Sequence, residues 1–326
     1  MTPASSPIRS TDPVRVFATS TRSKISIAHD PLTGLTHSTG ALLRRGRARL
    51  SPSEVASWPV VHPGDLPAEV PVSVCWSPLV RCNLACPHCL DDKQLPELDG
   101  SNRLRIVRLI AASGVLGVDI SGGEPLLLRE LGELADELTE QGCVVSVTTN
   151  GWHLQRRAEA LAAHIDAVRI SLDGPDALRH DQWRGRESFR RAIAGARAAA
   201  AHGIPTQLHS VLMRSTRHSA QEMVELAASL SVHGVTFLQM LPIGLGAALA
   251  AEEQLTDEQA QDTIAGLDVP TEVSVRVRTR EAAGGFTVIR SDGQLWRNDP
   301  QAESIATQRP LRCAEDLGLT GRDGSA

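Results

Sequence analysis

From about residue 72 the chain alternates short apolar runs with longer stretches of helical periodicity, and this alternation restricts the possible folds more than any other feature. The runs at 72–81, 115–121, 144–150, 167–173, 206–213 and 235–241 read as strands. Between them, Leu128, Leu131, Leu134 and Leu138 recur at the spacing of one buried helix face. The segments 188–202 and 219–233 are rich in Ala, Leu and Glu and run into Gly203 and Gly234, which read as helix stops. Repeated strand-then-helix units give an α/β fold with a parallel sheet. Six units are too few for a closed eight-stranded barrel, and at 326 residues the chain is long enough for a full core plus appendages.

Three of the six cysteines stand in the run Cys82-Asn83-Leu84-Ala85-Cys86-Pro87-His88-Cys89. Three thiolates can hold three corners of a cubane iron–sulfur cluster and leave one iron open to a substrate or cofactor. The alternative is a structural zinc site completed by His88. Clustered thiols in a long chain with a polar start read as metal ligands in a reducing compartment, and a cytoplasmic location is expected. No apolar run approaches the ~18 residues needed to span a bilayer. A net charge of -5 makes no case for a nucleic-acid surface, and with Tyr absent no aromatic base-stacking platform is apparent.

Just after the apolar run 115–120 comes Ser121-Gly122-Gly123-Glu124-Pro125-Leu126, a glycine turn carrying a carboxylate. Its glycines permit a backbone approach that a Cβ would block. Two further strands end in Thr149-Asn150-Gly151 and in Ser171-Leu172-Asp173-Gly174. Asn150 and Ser171 thus lie at the carboxyl edge, where open α/β sheets bind ligands, although strand-end polar residues are equally common as caps. Asp173 is either a substrate contact or a turn former.

These motifs, in this order, resemble the radical S-adenosylmethionine (SAM) superfamily. The resemblance implies a partial (β/α)6 TIM-like barrel over 71–245, with a 4Fe-4S cluster on Cys82, Cys86 and Cys89 and SAM on its unique iron. It further implies that Gly122, Gly123 and Glu124 grip the aminopropyl end of SAM, that Asn150 and Ser171 add cofactor contacts, and that His88 packs beside the adenine. An external one-electron donor of flavodoxin or ferredoxin type would reduce the cluster.

Residues 1–70 read as an accessory cap: 14–18 and 24–28 alternate as strands, Asp30-Pro31-Leu32-Thr33-Gly34 supplies a turn, and Ser51-Pro52 begins a helix. The alternative is a module that grips a peptide leader by strand addition. Beyond 245, the segments 271–278 and 286–296 suggest a hairpin region. It is similar to a SPASM extension without auxiliary-cluster cysteines, since Cys313 is the one thiol there. The tail from Gly318 reads as disordered.

Arg169 shares one strand side with Ser171 and Asp173, and an arginine inside a barrel needs a partner, for which an anionic ligand is the natural choice. His209, Ser210, Gln239 and Met240 include interior positions in either register, each equally readable as a satisfied core residue. His180, Asp181, Trp183 and Arg184 resemble a loop-shaping segment, while Cys75 and Cys143 read as small buried hydrophobes. Cys313 is either a tail cysteine or, as in some relatives, a hydrogen-atom donor to a substrate radical. The expected function is hydrogen abstraction from a small, anionic sugar or nucleoside-sugar substrate, resembling antibiotic tailoring enzymes such as cytosylglucuronate decarboxylase. The missing auxiliary ligands favour rearrangement, elimination, decarboxylation or epimerisation. A peptide maturase or epimerase and a structural zinc or cluster protein remain the alternatives.

Overall fold

The computed structural model describes residues 14–22, 24–62, 65–66, 70–90, 93–282, 286–297 and 308–318. Most of the tail expected to be disordered, from residue 319 on, lies outside them. Four strands, β1 (Arg15–Arg22), β2 (Ile25–His29), β3 (Thr36–Thr39) and β4 (Gly46–Leu50), form an antiparallel sheet in the order β3-β2-β1-β4, followed by the short helix α1 (Pro52–Ala56). Two of these strands and the helix start are the ones the alternation predicted; β3 and β4 are additional. The helix begins as expected, with Ser51 accepting from Glu54 N and Pro52 in the first turn.

The βα units follow: β5 (Ser73–Trp76), α2 (Gly100–Ser113), β6 (Gly117–Ile120), α3 (Leu131–Glu140), β7 (Val144–Thr149), α4 (Leu154–Leu161), β8 (Ala167–Ser171), α5 (Ala177–Arg184), α6 (Ser188–Ala201), β9 (Thr206–Leu212), α7 (Ala220–Ser229) and β10 (Gly234–Gln239). Strands β5 to β10 lie side by side in chain order and pair in parallel. All six predicted strands are present. Gly234, however, opens β10 rather than ending a helix, and a side chain there would strike the Ser274 carbonyl at 1.8 Å.

Each strand has two unlike faces. Val118, Ile120, Val145, Val147, Val168, Ile170, Leu208, Val235 and Phe237 are buried in one apolar core with residues of the helices. The register places the alternate positions Cys75, Asp119, Ser146, Thr148, Arg169, Gln207, His209 and Thr236 together on the other face, which is the barrel interior. Cys75 therefore faces a polar space, with its sulfur 2.9 Å from Ser121 Oγ, and is not the buried hydrophobe expected. Cys143 is buried, and burial pushes its thiol up to about 11.

Residues beyond 245 do not stand apart from this sheet. After the helices α8 (Ala250–Glu253) and α9 (Asp257–Ala265), β11 (Ser274–Arg278) pairs parallel with β10, while β12 (Thr287–Ile289) pairs parallel with β5. Strands β13 (Gln294–Arg297) and β14 (Gln308–Pro310) extend the sheet antiparallel from there. The hairpin expected around 286–296 is β12–β13, but 271–278 joins the opposite edge. The two edges approach each other, with the Arg278 guanidinium 5.6 Å from the centre of the Phe286 ring.

The turn after β2 enters the barrel from the amino-terminal end of its strands. Asp30 shapes it by accepting from Leu32 N and Thr33 Oγ1, and it pairs with Arg15 at 2.9 Å. The His29 ring fits where Gly117 has no side chain, since a Cβ there would lie 2.5 Å from it. Among the described residues no helix is long and apolar enough to cross a membrane.

Candidate active site

Cys82, Cys86 and Cys89 lie on the irregular segment between β5 and α2, at the carboxyl end of the strands. A segment without regular structure holds its shape only if its backbone groups find partners, and three separate elements supply them. Glu97 Oε1 accepts from Val80 N at 3.0 Å and Arg81 N at 2.9 Å, and its other oxygen meets Arg81 Nε at 2.8 Å. Gly123 N donates to Leu79 O and Glu124 N to Arg81 O, both at 2.8 Å. On the far side Leu245 N donates to Cys89 O at 2.9 Å.

The glycines of the 121–126 turn serve this packing. A Cβ at Gly122 would lie 2.5 Å from Leu79 O, and one at Gly123 would lie 2.1 Å from Arg81 O. Close backbone approach is the expected reason for glycine, but here the approaching partner is the cysteine segment. Glu124 is fully buried, its carboxylate accepting from Leu126 N (3.0 Å), Thr149 Oγ1 (2.6 Å) and Asn150 N (2.8 Å). Burial pushes its pKa up against those donors. The carboxylate thus ties the glycine turn to the end of β7. Asn150 carries the link onward, its Nδ2 reaching Asn83 Oδ1 at 3.0 Å and Cys82 Sγ at 3.7 Å. Ser171 ends β8 half-buried, on the interior face.

Asp173 is the second organising carboxylate. Its side chain is wholly buried, with Oδ2 2.5 Å from Arg184 Nε and 3.1 Å from His88 Nε2, while Oδ1 accepts from Val211 N at 2.8 Å. His180 Nδ1 accepts from Asp173 N at 3.0 Å. Although burial alone would raise its pKa, Arg184 and then His88 hold this carboxyl far below the usual range. His88 also meets the Trp183 ring edge to face, 6.0 Å between centres. Its Nε2 faces Asp173.

The donor chemistry of the cysteine segment fits an iron–sulfur cluster. All six cysteines are free thiols. Burial pushes Cys82 and Cys86 up, Cys89 adding to both, while Lys93 and Arg184 respectively pull them down; nearby cations of this kind stabilise the thiolates that a metal requires. Among the described residues no three His, Cys, Asp or Glu side chains close on a single ion position.

Two expectations do not hold. Arg169 does not await an anionic ligand: its Nε donates to Leu32 O (3.0 Å), Nη2 to Pro31 O (2.5 Å), and Nη1 lies 3.0 Å from Asp119 Oδ1. Its partners are the inserted amino-terminal turn and a carboxylate on β6. Cys313 is exposed, in a turn packed against α2 on the outer side of the sheet, so it is not placed to quench a radical inside the barrel. Gln239 proves a satisfied core residue, donating to Leu255 O and accepting from Arg280 N.

Three contributors escaped the sequence. Glu97 gives no signal. Asp119, which also accepts from Ser146 and Thr148, shows itself as a carboxylate inside an apolar strand. Arg278 shows itself in the alternation Val275-Arg276-Val277-Arg278, and with His88, Leu90, Val211, Leu238 and Met240 it lines a cleft beside the cysteine segment.

The sequence profile of the Radical SAM superfamily matches residues 76–227, the span that holds the cysteine segment, the glycine turn and Asp173. These residues form a radical SAM domain. The chain is 32% identical to a PqqA peptide cyclase of Methylocella silvestris over 59% of its own length and 54% of that protein. It is 31% identical to a GTP 3',8-cyclase of Rhodococcus opacus over 55% of its own length and 54% of that protein. It thus spans about half the length of the curated relatives it matches. In fold it is similar to Streptococcus suis SuiB bound to precursor peptide SuiA, with a TM-score of 0.64, 13% identity, and coverage of 93% of this chain and 88% of that one. The radical SAM domain agrees with the partial α/β barrel, and radical SAM proteins use a 4Fe-4S cluster together with SAM.

Proposed function

We propose that this chain is a radical SAM enzyme in which Cys82, Cys86 and Cys89 hold the cluster and SAM lies against the ends of β6 to β8. The observation that carries the reading is the clamp: Glu97, Gly123, Glu124 and Asn150 fix the cysteine segment to two strand ends, a rigid setting for a cofactor. When bound, cluster and SAM would supply, with one electron from an external ferredoxin- or flavodoxin-type donor, the radical chemistry needed to take a hydrogen atom from a substrate. Gly122, Gly123 and Ser171 offer polar backbone and hydroxyl groups to SAM. Glu124 acts by positioning Thr149 and Asn150. Asp173 fixes Arg184 beside Cys86 and His88 beside the cleft. Oxygen-sensitive chemistry of this kind suits a cytoplasmic setting.

For the substrate, we favour a small anionic molecule such as a sugar acid or nucleoside sugar of natural-product biosynthesis. Radical decarboxylation is one outcome: after abstraction the carboxylate leaves as carbon dioxide, and the radical anion that remains takes up two protons and one electron from the same external donor. The second reading, a peptide substrate, is supported by the likeness to a PqqA peptide cyclase and by whole-length likeness in fold to SuiB.

Anaerobic reconstitution tests the assignment. The expected result is about four irons per chain, nearly none in the Cys82→Ala/Cys86→Ala/Cys89→Ala variant, and 5'-deoxyadenosine formed from SAM under reductant. Iron retained by the triple variant refutes the ligand set. Glu124→Gln should weaken SAM binding while keeping iron. A sugar-acid nucleoside and a peptide, each deuterated, are offered in parallel, and label reaching 5'-deoxyadenosine from the peptide alone selects the second reading.

A further inference from the structure

Among the described residues, Arg169, Arg276 and Arg278 stand on the inner faces of the barrel strands, and their partners differ. Arg169 is bound by Asp119 and two carbonyls. Arg276 donates to Thr33 O and, at 3.1 Å, to Thr236 Oγ1. Arg278, two residues further toward the carboxyl end of the same strand, makes no side-chain hydrogen bond or ion pair among the described residues; its guanidinium lies over the Phe286 ring.

A half-buried guanidinium whose five donors meet no acceptor among the described residues is left to water or to a ligand. Local charge points the same way. Burial and then Arg169 push the Arg278 pKa down, and Asp119, the carboxylate that acts on it, is already engaged by Arg169, Ser146 and Thr148. His209, across β10 from Arg276, is pushed well toward its neutral form by burial and by the same arginines; its Nε2 and both amide atoms of Gln207 are buried without a partner among the described residues. The interior therefore has an excess of positive charge, which a negative group would neutralise.

We propose that Arg278 is the anchor for an anionic group of the substrate, a carboxylate or a phosphate, held at the mouth of the barrel. The cleft it lines also contains His88, which sits between two of the cluster cysteines, so a molecule anchored there lies beside the cofactor segment. A planar fork suits either oxyanion in a bidentate grip. The term substrate rests on the radical SAM reading; the anion site does not.

Calorimetric titration of the reconstituted protein at low ionic strength, with glucuronate and with inorganic phosphate as probes, tests the site. Wild type should bind at least one of them, and which one identifies the oxyanion. Arg278→Gln should lose about tenfold or more in affinity, Arg278→Lys should retain part of it, and the exposed Arg49→Gln should bind as wild type does. Phenylglyoxal labelling of wild type, mapped by mass spectrometry, provides a test independent of variant folding: the bound probe should protect Arg278 and leave Arg49 reactive. Absence of binding to wild type, unchanged affinity in Arg278→Gln, or no protection of Arg278 would overturn the proposal. SAM cleavage by wild type is scored separately, and its failure would remove the radical SAM reading while leaving the anion site standing.

Discussion

The two ends of the barrel treat the same residue type in opposite ways. At the amino-terminal end the turn carrying Pro31, Leu32 and Thr33 gives Arg169 and Arg276 their acceptors, and His29 fills the notch at Gly117. At the carboxyl end Arg278 faces a cleft, while the buried charge of Arg184 is met by Asp173. An arginine on the inner face of a strand therefore says nothing by itself about substrate. What decides is whether another segment of the chain reaches it. The amino-terminal end is a closed structural joint, and the other end keeps a cation available.

The largest expected effect lies at the carboxyl end. Asp173→Asn leaves Arg184 charged and unpaired and should cost about 3–5 kcal/mol, read from urea denaturation midpoints; a loss below ~1 kcal/mol would mean that the Asp173–Arg184 pair does not organise this end. Next come the two buried histidines, one at each end. His29 and His180 are both pushed down to about 4, chiefly by burial. Because each titrates lower when folded than when unfolded, its contribution is complete above pH ~6.5 and drains away as pH falls toward 4, about 3 kcal/mol each. His29→Asn and His180→Asn should each flatten part of that acid slope in denaturation measured across pH, and if only one does, the ends differ in burial more than the geometry implies. Arg169→Ala should cost about 2 kcal/mol, less than a sealed pair because Asp119 keeps two hydroxyl donors and some solvent. Hydrogen exchange should then quicken in β2 before it does in β8. Arg278→Ala, by contrast, should shift stability by no more than ~0.5 kcal/mol, as should Cys313→Ser. A costly Arg278→Ala would indicate a protein partner and erase the difference between the two ends.

Much of this was legible in the sequence. The six central strands follow directly from apolar runs, and the cysteine spacing with its glycine turn marks the cofactor end. What was not legible is partnership over long range. Arg169 reads as a cation in need of an anion because its acceptors, Pro31 O and Leu32 O, lie far earlier in the chain and are backbone atoms that leave no mark in residue types. The structural partners of Glu124 are hidden for the same reason: besides Leu126 N in its own turn, they are the Thr149 hydroxyl and the Asn150 amide at the end of β7. A hairpin around 286–296 was visible in the pattern of that segment, but short strands such as β11 and β12 carry no label for which edge they join. Arg278 was within reach, since a strand with arginine at every second position cannot bury that face against other apolar residues.

Placing β11 and β12 on opposite edges has a consequence for how the molecule is made. Val74 must wait for Thr287 before β5 is flanked on both sides, so the first barrel strand to be synthesised is among the last to be completed. Contacts this distant in sequence make a slow final step. Until the carboxyl-terminal segment emerges, a nascent chain presents unpaired backbone along both β5 and β10, a template for association with neighbours. Production of a version ending near residue 245 should therefore yield aggregates rather than a smaller soluble barrel, and slower translation across the last third of the message should lengthen the time each molecule depends on chaperones.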